Sequence, residues 1–314
     1  MQLLSFKQWI KIFKETAEEF QNDNTFHYAA ALSYYTIFSL PPIIIIVITV
    51  SGAILGEEAV KGELFASLDN LLGPESAQQI KEMTDKAAGL HSTRIAQIVG
   101  GLTLMITSTG VFVSLQSALN IIWKVKSKPK NNLLKMAKDR ILSFSMILTI
   151  GFLLLVSFLI HAIIIGFSAI LDKMLGHATF VILQIIDLVL PLFITTVLFG
   201  LIFKVLPDVQ IRWKEVWAGA LFTAVLFTLG EFLISIYMSH ANVLSAYGAA
   251  GTVLLILTWV FYSSNILFFG AEFTKVYART IGQEIKPAPY ALRLETKIVD
   301  NTHTVETQKN VTNI

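Results

Sequence analysis

Residues 28–55 read YAAALSYYTIFSLPPIIIIVITVSGAIL, with no charged side chain anywhere in the run. A membrane's hydrocarbon core is about 30 Å thick, and a helix rising about 1.5 Å per residue crosses it with about 20 apolar residues. This stretch is therefore long enough to span. Five more apolar stretches follow, at Ile95–Leu119, Ile141–Leu171, Thr179–Phe203, Val216–Met238 and Ala249–Ala271. None shows the strict alternation of barrel strands, and Leu, Ile, Phe and Val fill every face, which predicts helices. The expected fold is all-α, a polytopic membrane helix bundle with six transmembrane helices over residues 28–280.

Composition supports this. The 314 residues are 54% hydrophobic and 15% charged, against about 25% charged for an ordinary soluble domain. The absence of cysteine excludes disulfide scaffolds, thiol catalysis, Fe–S clusters and cysteine zinc sites. A net charge of +2 is no footprint for a polyanion, so no nucleic-acid partner is expected. The lysine-rich stretch Lys124–Arg140 reads as an ordinary cytoplasmic loop.

Basic residues set the orientation. Nineteen of the 24 lysines and arginines fall in residues 1–27, in the second and fourth connections and after the last span; five fall on the other side. Basic loops stay in the cytoplasm, so both termini are expected there. No small-residue cleavage site follows a short apolar core, so residues 1–27 read as mature chain. Within them Leu3, Phe6, Trp9, Ile10, Phe13, Ala17 and Phe20 recur near helical spacing beside Lys7, Lys11 and Lys14. That predicts an amphipathic helix suited to the cytoplasmic interface, or a lead-in packed on the bundle. The outer loop 56–94 carries two helical patterns separated by Gly73-Pro74, which predicts two short surface helices. Residues 281–314 lack periodicity and are expected to form a disordered cytoplasmic tail.

Three ionisable side chains lie well inside the spans: His161, Asp187 and Glu231. Burying such groups costs a few kcal/mol each, so they face protein or water. Counted from the helix ends, all three lie roughly 10–15 Å below the outer surface. They form either one titratable site open to the outside or three unrelated groups satisfied by neighbouring hydroxyls. A second set serves a cavity or packing. Tyr34 and Tyr35 lead into Pro41 and Pro42, which remove backbone donors in mid-span and are expected to kink or break the helix. Gln116 and Asn120 end the second span. Tyr247, Gly248 and Gly251 open the sixth, and Asn265 and Glu272 lie near its cytoplasmic end. No GxxxxGK[ST], HExxH or GxSxG motif is present, and the six histidines are scattered. No catalytic residue, metal or cofactor is predicted.

Several motifs carry a family resemblance. Ala29-Ala30-Ala31-Leu32-Ser33-Tyr34-Tyr35-Thr36-Ile37-Phe38-Ser39-Leu40, Gly110-Val111-Phe112 and Leu115-Gln116-Ser117-Ala118-Leu119-Asn120-Ile121-Ile122-Trp123 resemble the YihY/BrkB family of bacterial inner-membrane proteins. So do Leu206-Pro207-Asp208 with Trp213 and Trp217-Ala218-Gly219-Ala220, and Ala246-Tyr247-Gly248-Ala249-Ala250-Gly251 with Trp259 and Phe269-Gly270-Ala271-Glu272-Phe273. The resemblance covers roughly residues 25–280. It implies a six-helix, multi-pass protein of the bacterial plasma membrane and supplies no agreed catalytic residues. Its members carry labels such as "virulence factor" and "ribonuclease BN". The nuclease label fits nothing in this sequence, because RNA hydrolysis needs a water-activating metal cluster or an acid/base pair at a cytoplasmic surface. The expectation is a non-enzymatic membrane protein that handles or moves a lipid-like or small amphiphilic envelope substrate. The alternative is a structural or assembly factor for the envelope. Membrane lipid is the expected partner, with envelope proteins or further copies of the chain beside it.

Overall fold

The computed structural model describes residues 5–89, 109–129, 131–175, 177–240, 249–283 and 285–295. Helices dominate. In chain order they are α1 (Phe6–Asn22), α2 (Thr25–Leu55), α3 (Glu57–Leu72) and α4 (Pro74–Gly89), then α5, described over Thr109–Ile122. After them come α6 (Asn132–Leu175), α7 (His177–Val205), α8 (Trp213–His240) and α9 (Ala249–Thr280). Four short strands join the connections: β1 (Val125–Ser127), β2 (Val209–Gln210), β3 (Lys286–Pro287) and β4 (Ala291–Arg293). The architecture is all-α, with two two-stranded pairs at its edge.

Among the described residues α2, α8 and α9 each hold a stretch long and apolar enough to cross a membrane. Shorter apolar stretches lie at Thr109–Ile122 and Val189–Val205. α2 packs on α9, α6 and α3; α7 lies between α6 and α8; α8 also packs on α9. Their shared core includes Leu119 and Ile122 of α5, Ile147 of α6, Phe203 of α7, Val216 and Ala220 of α8, and Phe268 and Ala271 of α9. A second cluster joins Ile44 and Ile48 of α2 to Ile80 of α4 and to Leu255, Ile256 and Trp259 of α9.

The prolines do not break the first long helix. α2 runs unbroken from Thr25 to Leu55, with Pro41 and Pro42 both buried inside it. Two lost donors remove only two rungs of a 31-residue ladder, and packing against α9 and α6 holds the rest. Residues 57–89 form two helices, α3 and α4, separated at Gly73. Gly73 adopts φ 82°, a left-handed backbone that glycine reaches without a Cβ clash, and Pro74 opens the next helix.

The tail also departs from expectation. Residues 286–287 and 291–293 are strands, not disordered chain. β4 pairs antiparallel with β1, and β3 with β2. Further bonds from Lys128 N–H to the Tyr290 carbonyl (2.8 Å), Leu294 N–H to the Lys124 carbonyl (2.7 Å) and Ala288 N–H to the Asp208 carbonyl (2.9 Å) complete the strap. Its partners lie more than 75 residues away, so no local periodicity could announce it. The remainder of the expected tail, 296–314, lies outside the described residues.

α1 docks on α9 and turns into α2 through Asn24 at φ 53°. Its docked face is Ile12, Thr16 and Phe20. Of the predicted apolar face, Phe20 is buried, whereas Phe6, Trp9, Ile10 and Phe13 stay exposed, Phe6 by 79%. Leu3 lies outside the described residues.

Candidate functional site

The helix ends that carry Asp23, Trp123 and Lys275 line a half-open cavity of about 780 Å³. Three helices and the strap build it. In α1, Glu15 and Glu19, with Asp23 just past its end, recur every four residues, so one face presents three carboxylates. In the last turns of α9, Lys275 and Arg279 answer them, with Glu272 beside Lys275. The end of α5 adds Trp123 and Lys124, and the strap closes the side with Ile285, Arg293 and Leu294.

Lys275 is the hub. Its ammonium lies 2.5 Å from Glu272 Oε2, 2.6 Å from Glu19 Oε2 and 3.6 Å from Asp23 Oδ2. It also donates to the Ile122 carbonyl at 2.7 Å, capping α5. Arg279 bridges Glu15 and Glu19, each at 2.8 Å. Lys124 pairs with Asp23. Trp123 donates its indole N–H to the Ala271 carbonyl at 3.2 Å, fixing α5 against α9. Burial opposes ionisation of Glu19, but Lys275 and Arg279 outweigh it and hold this carboxyl below its ordinary range.

A second polar knot sits on the neighbouring connection. Asn120 donates to Asp208 Oδ2 at 3.0 Å and accepts from the Asp208 backbone N–H at 2.8 Å. Lys135 reaches Asp208 at 2.7 Å and Asp139 at 2.6 Å. The Tyr290 ring lies 5.0 Å below Lys135 and 5.1 Å below Lys138, in range for cation–π attraction. Burial alone would lower the Lys135 ammonium, yet Asp139 and Asp208 raise it above its ordinary value. Burial and the Asp208 carboxylate push the Tyr290 phenol up.

The residues expected from sequence divide between these sites and the rest of the bundle. Asn120 belongs to the second knot, and Gln116 reaches Asp139 at a long 3.5 Å. Glu272 belongs to the Lys275 cluster. Asn265 donates to the Phe261 carbonyl of its own helix at 2.7 Å, and Gly251 is buried in α9. Tyr34 and Tyr35 stand on the outward side of α2. They are 60% and 48% exposed, and Tyr34 packs on Phe38 with ring centroids 5.1 Å apart. The face of α2 that turns inward carries Leu32, Ser33 and Ser39 instead.

Tyr247 and Gly248 lie outside the described residues. Glu231 is half-buried on α8. His161 and Asp187 lie in α6 and α7, neighbouring helices, but their side chains are outside the described set. Reading spans alone missed Glu19, Asp23, Lys135, Asp208 and Lys275. The usable signal was the four-residue spacing of Glu15, Glu19 and Asp23.

The tightest helix contact explains two sequence motifs. A Cβ on Gly219 would fall 1.8 Å from Thr274 Oγ1, and one on Gly270 would fall 1.9 Å from Thr223 Oγ1. The two Gly-x-x-x-Thr segments of α8 and α9 therefore interlock reciprocally. Each threonine sits on the other helix's glycine and bonds back to its own at 2.7 Å. Gly230 admits the Tyr262 hydroxyl in the same way, where a Cβ would fall 1.8 Å from it.

Residues 16–295 match the virulence factor BrkB family. The chain belongs to that family. The matched span of this BrkB-family protein takes in the strap and, apart from Glu15, both knots. Relatives include a "UPF0761 membrane protein" of Pseudoalteromonas atlantica, 26% identical over 85% of each chain. Another, from Pseudomonas paraeruginosa, is 28% identical over 85% of this chain and 62% of its own length. No solved structure matches. These names give the BrkB-family protein a membrane location.

Proposed function

We propose that this BrkB-family protein is a six-span, multi-pass protein of the bacterial inner membrane with both termini in the cytoplasm. It handles or translocates a lipid-like or small amphiphilic envelope substrate and carries out no catalysis. The cavity of about 780 Å³ carries this reading. Its walls combine charged groups with Trp123, Ile285 and Leu294, the pairing an amphiphile needs. It lies at the end of the bundle that bears α1, whose exposed Phe6, Ile10 and Phe13 suit a membrane surface.

The test is reconstitution into liposomes, with lipid scrambling and proton flux followed for the wild type and for Asp187→Asn. Faster scrambling by the wild type supports the reading, and its loss in Asp187→Asn places the intramembrane residue on the route. Equal scrambling by both removes Asp187 from it. Activity in neither assay leaves a structural or assembly role with envelope partners or further copies of the chain. The interlocked α8–α9 seam, which leaves no space for a Cβ, favours that second reading. Precursor tRNA incubated with the purified protein and divalent metal is expected to stay uncut.

A further inference from the structure

The Lys275 cluster contains more buried acceptors than donors. An ammonium has three protons; that of Lys275 donates to the Ile122 carbonyl and lies against Glu19 Oε2 and Glu272 Oε2 as an ion pair. Asp23 Oδ2 and both carboxyl oxygens of Glu272 are buried and receive no hydrogen bond. Glu272 is wholly buried and Asp23 nearly so. Asp23 Oδ2 and Glu272 Oε2 face the one Lys275 ammonium, at 3.6 and 2.5 Å. Two ionised carboxylates cannot bond to one another, and a buried acceptor without a donor is costly. One proton between them removes both penalties.

Charge points the same way. Lys275 is the deeply buried cation of the group; Lys124 and Arg279 are substantially exposed and their charges reach water. Glu15 and Glu19 on α1 are partly exposed and held by Arg279 and Lys275, and Arg293 of β4 stands on the cavity wall. The innermost layer thus sets Asp23 and Glu272 against one ammonium.

We infer that Asp23 and Glu272 share one bound proton, which makes the junction of α1 with α9 a proton-binding site. The adjoining cavity, which Asp23 lines, supplies the proton from water. With the proton bound, the pair is a single hydrogen-bonded anion neutralised by Lys275. With it lost, two buried carboxylates repel across the seam that holds Ile12, Phe273 and Val276 together, and α1 loosens. This site is separate from Glu231 in the bundle and stands whether or not the protein moves lipid.

The test is infrared difference spectroscopy of the full chain in lipid nanodiscs, between neutral and alkaline pH, alongside amide exchange of residues 6–22. The wild type should show the carbonyl stretch of a protonated carboxyl at neutral pH and lose it in alkali. The protection of α1, corrected for the base-catalysed intrinsic exchange rate, should fall about tenfold over the same change, the size of one lost charge-assisted bond. Glu272→Gln should lack the band and keep α1 protected in alkali. Glu231→Gln should retain the band. In Asp23→Asn the new amide donates to Glu272, so the band should vanish there too. A wild type without the band overturns the inference. So does a band undiminished in Glu272→Gln, or in Asp23→Asn if the former does not fold.

Discussion

Glu19 shows how one residue's charge is set by what folding brings to it. Its carboxyl lies below the ordinary range because Lys275 and Arg279 overrule its burial. A group with a depressed folded value stabilises the native state above its unfolded value, and that contribution is lost as pH falls through the folded value. Docking of α1 should therefore weaken on acidification below the ordinary glutamate range, and Glu19→Gln should flatten that acid limb. Amide exchange of residues 6–22 across an acid series checks both; an acid limb unchanged in Glu19→Gln would contradict the assignment. Asn120 is the counterpart in the second knot. Removing its amide takes the partner from Asp208 Oδ2 and from the Asp208 N–H, so Asn120→Ala should cost about 1–3 kcal/mol, seen as a lower unfolding temperature in detergent. Polar residues set among apolar ones made Asn120 and Glu272 legible in the sequence. Their pairing with Asp208, Lys275 and Asp23 was not, because a charged residue beyond a span looks like any other solvated one.

At the scale of elements the α8–α9 seam is where backbone geometry decides. Gly219 and Gly270 leave no space for a Cβ against Thr274 and Thr223. Without a hydrophobic force between helices in lipid, small residues and close packing carry association. Gly270→Ala should destabilise the bundle by about 1–3 kcal/mol, the usual cost of overpacking. Gly270→Ala combined with Thr223→Ala, which removes the clashing hydroxyl together with the methyl, should recover part of that loss. Thermal unfolding of the single and double variants in one detergent decides; no recovery would place the strain elsewhere. The helices themselves were legible. Predicted Val216–Met238 became Trp213–His240, and Thr179–Phe203 became His177–Val205, because apolar length is a local property. The strap was not, since β4 finds β1 only after the bundle has brought residues 125 and 293 together.

For the whole molecule, the side on which basic residues gather predicts topology. The sequence has no cysteine, so single cysteines can be introduced without background. Cysteines at Leu3 and at Thr312 should be labelled only after the inner membrane is opened, and one at Glu63 of α3 should react with an impermeant reagent on intact spheroplasts. Labels of Leu3 and Thr312 on opposite sides would refute the six-span arrangement.

Lipid as solvent, helices as the repeating element and the approximate ends of those helices follow from the chain's composition and apolar run lengths alone. Both are local quantities, and the physics of a dry hydrocarbon layer acts on them one segment at a time. Which carboxylates meet Lys275, which glycines admit threonines and where the strap lands were settled only in the folded molecule. Those contacts join residues as far apart as Glu19 and Lys275, and their strength depends on the burial and mutual charge that packing creates.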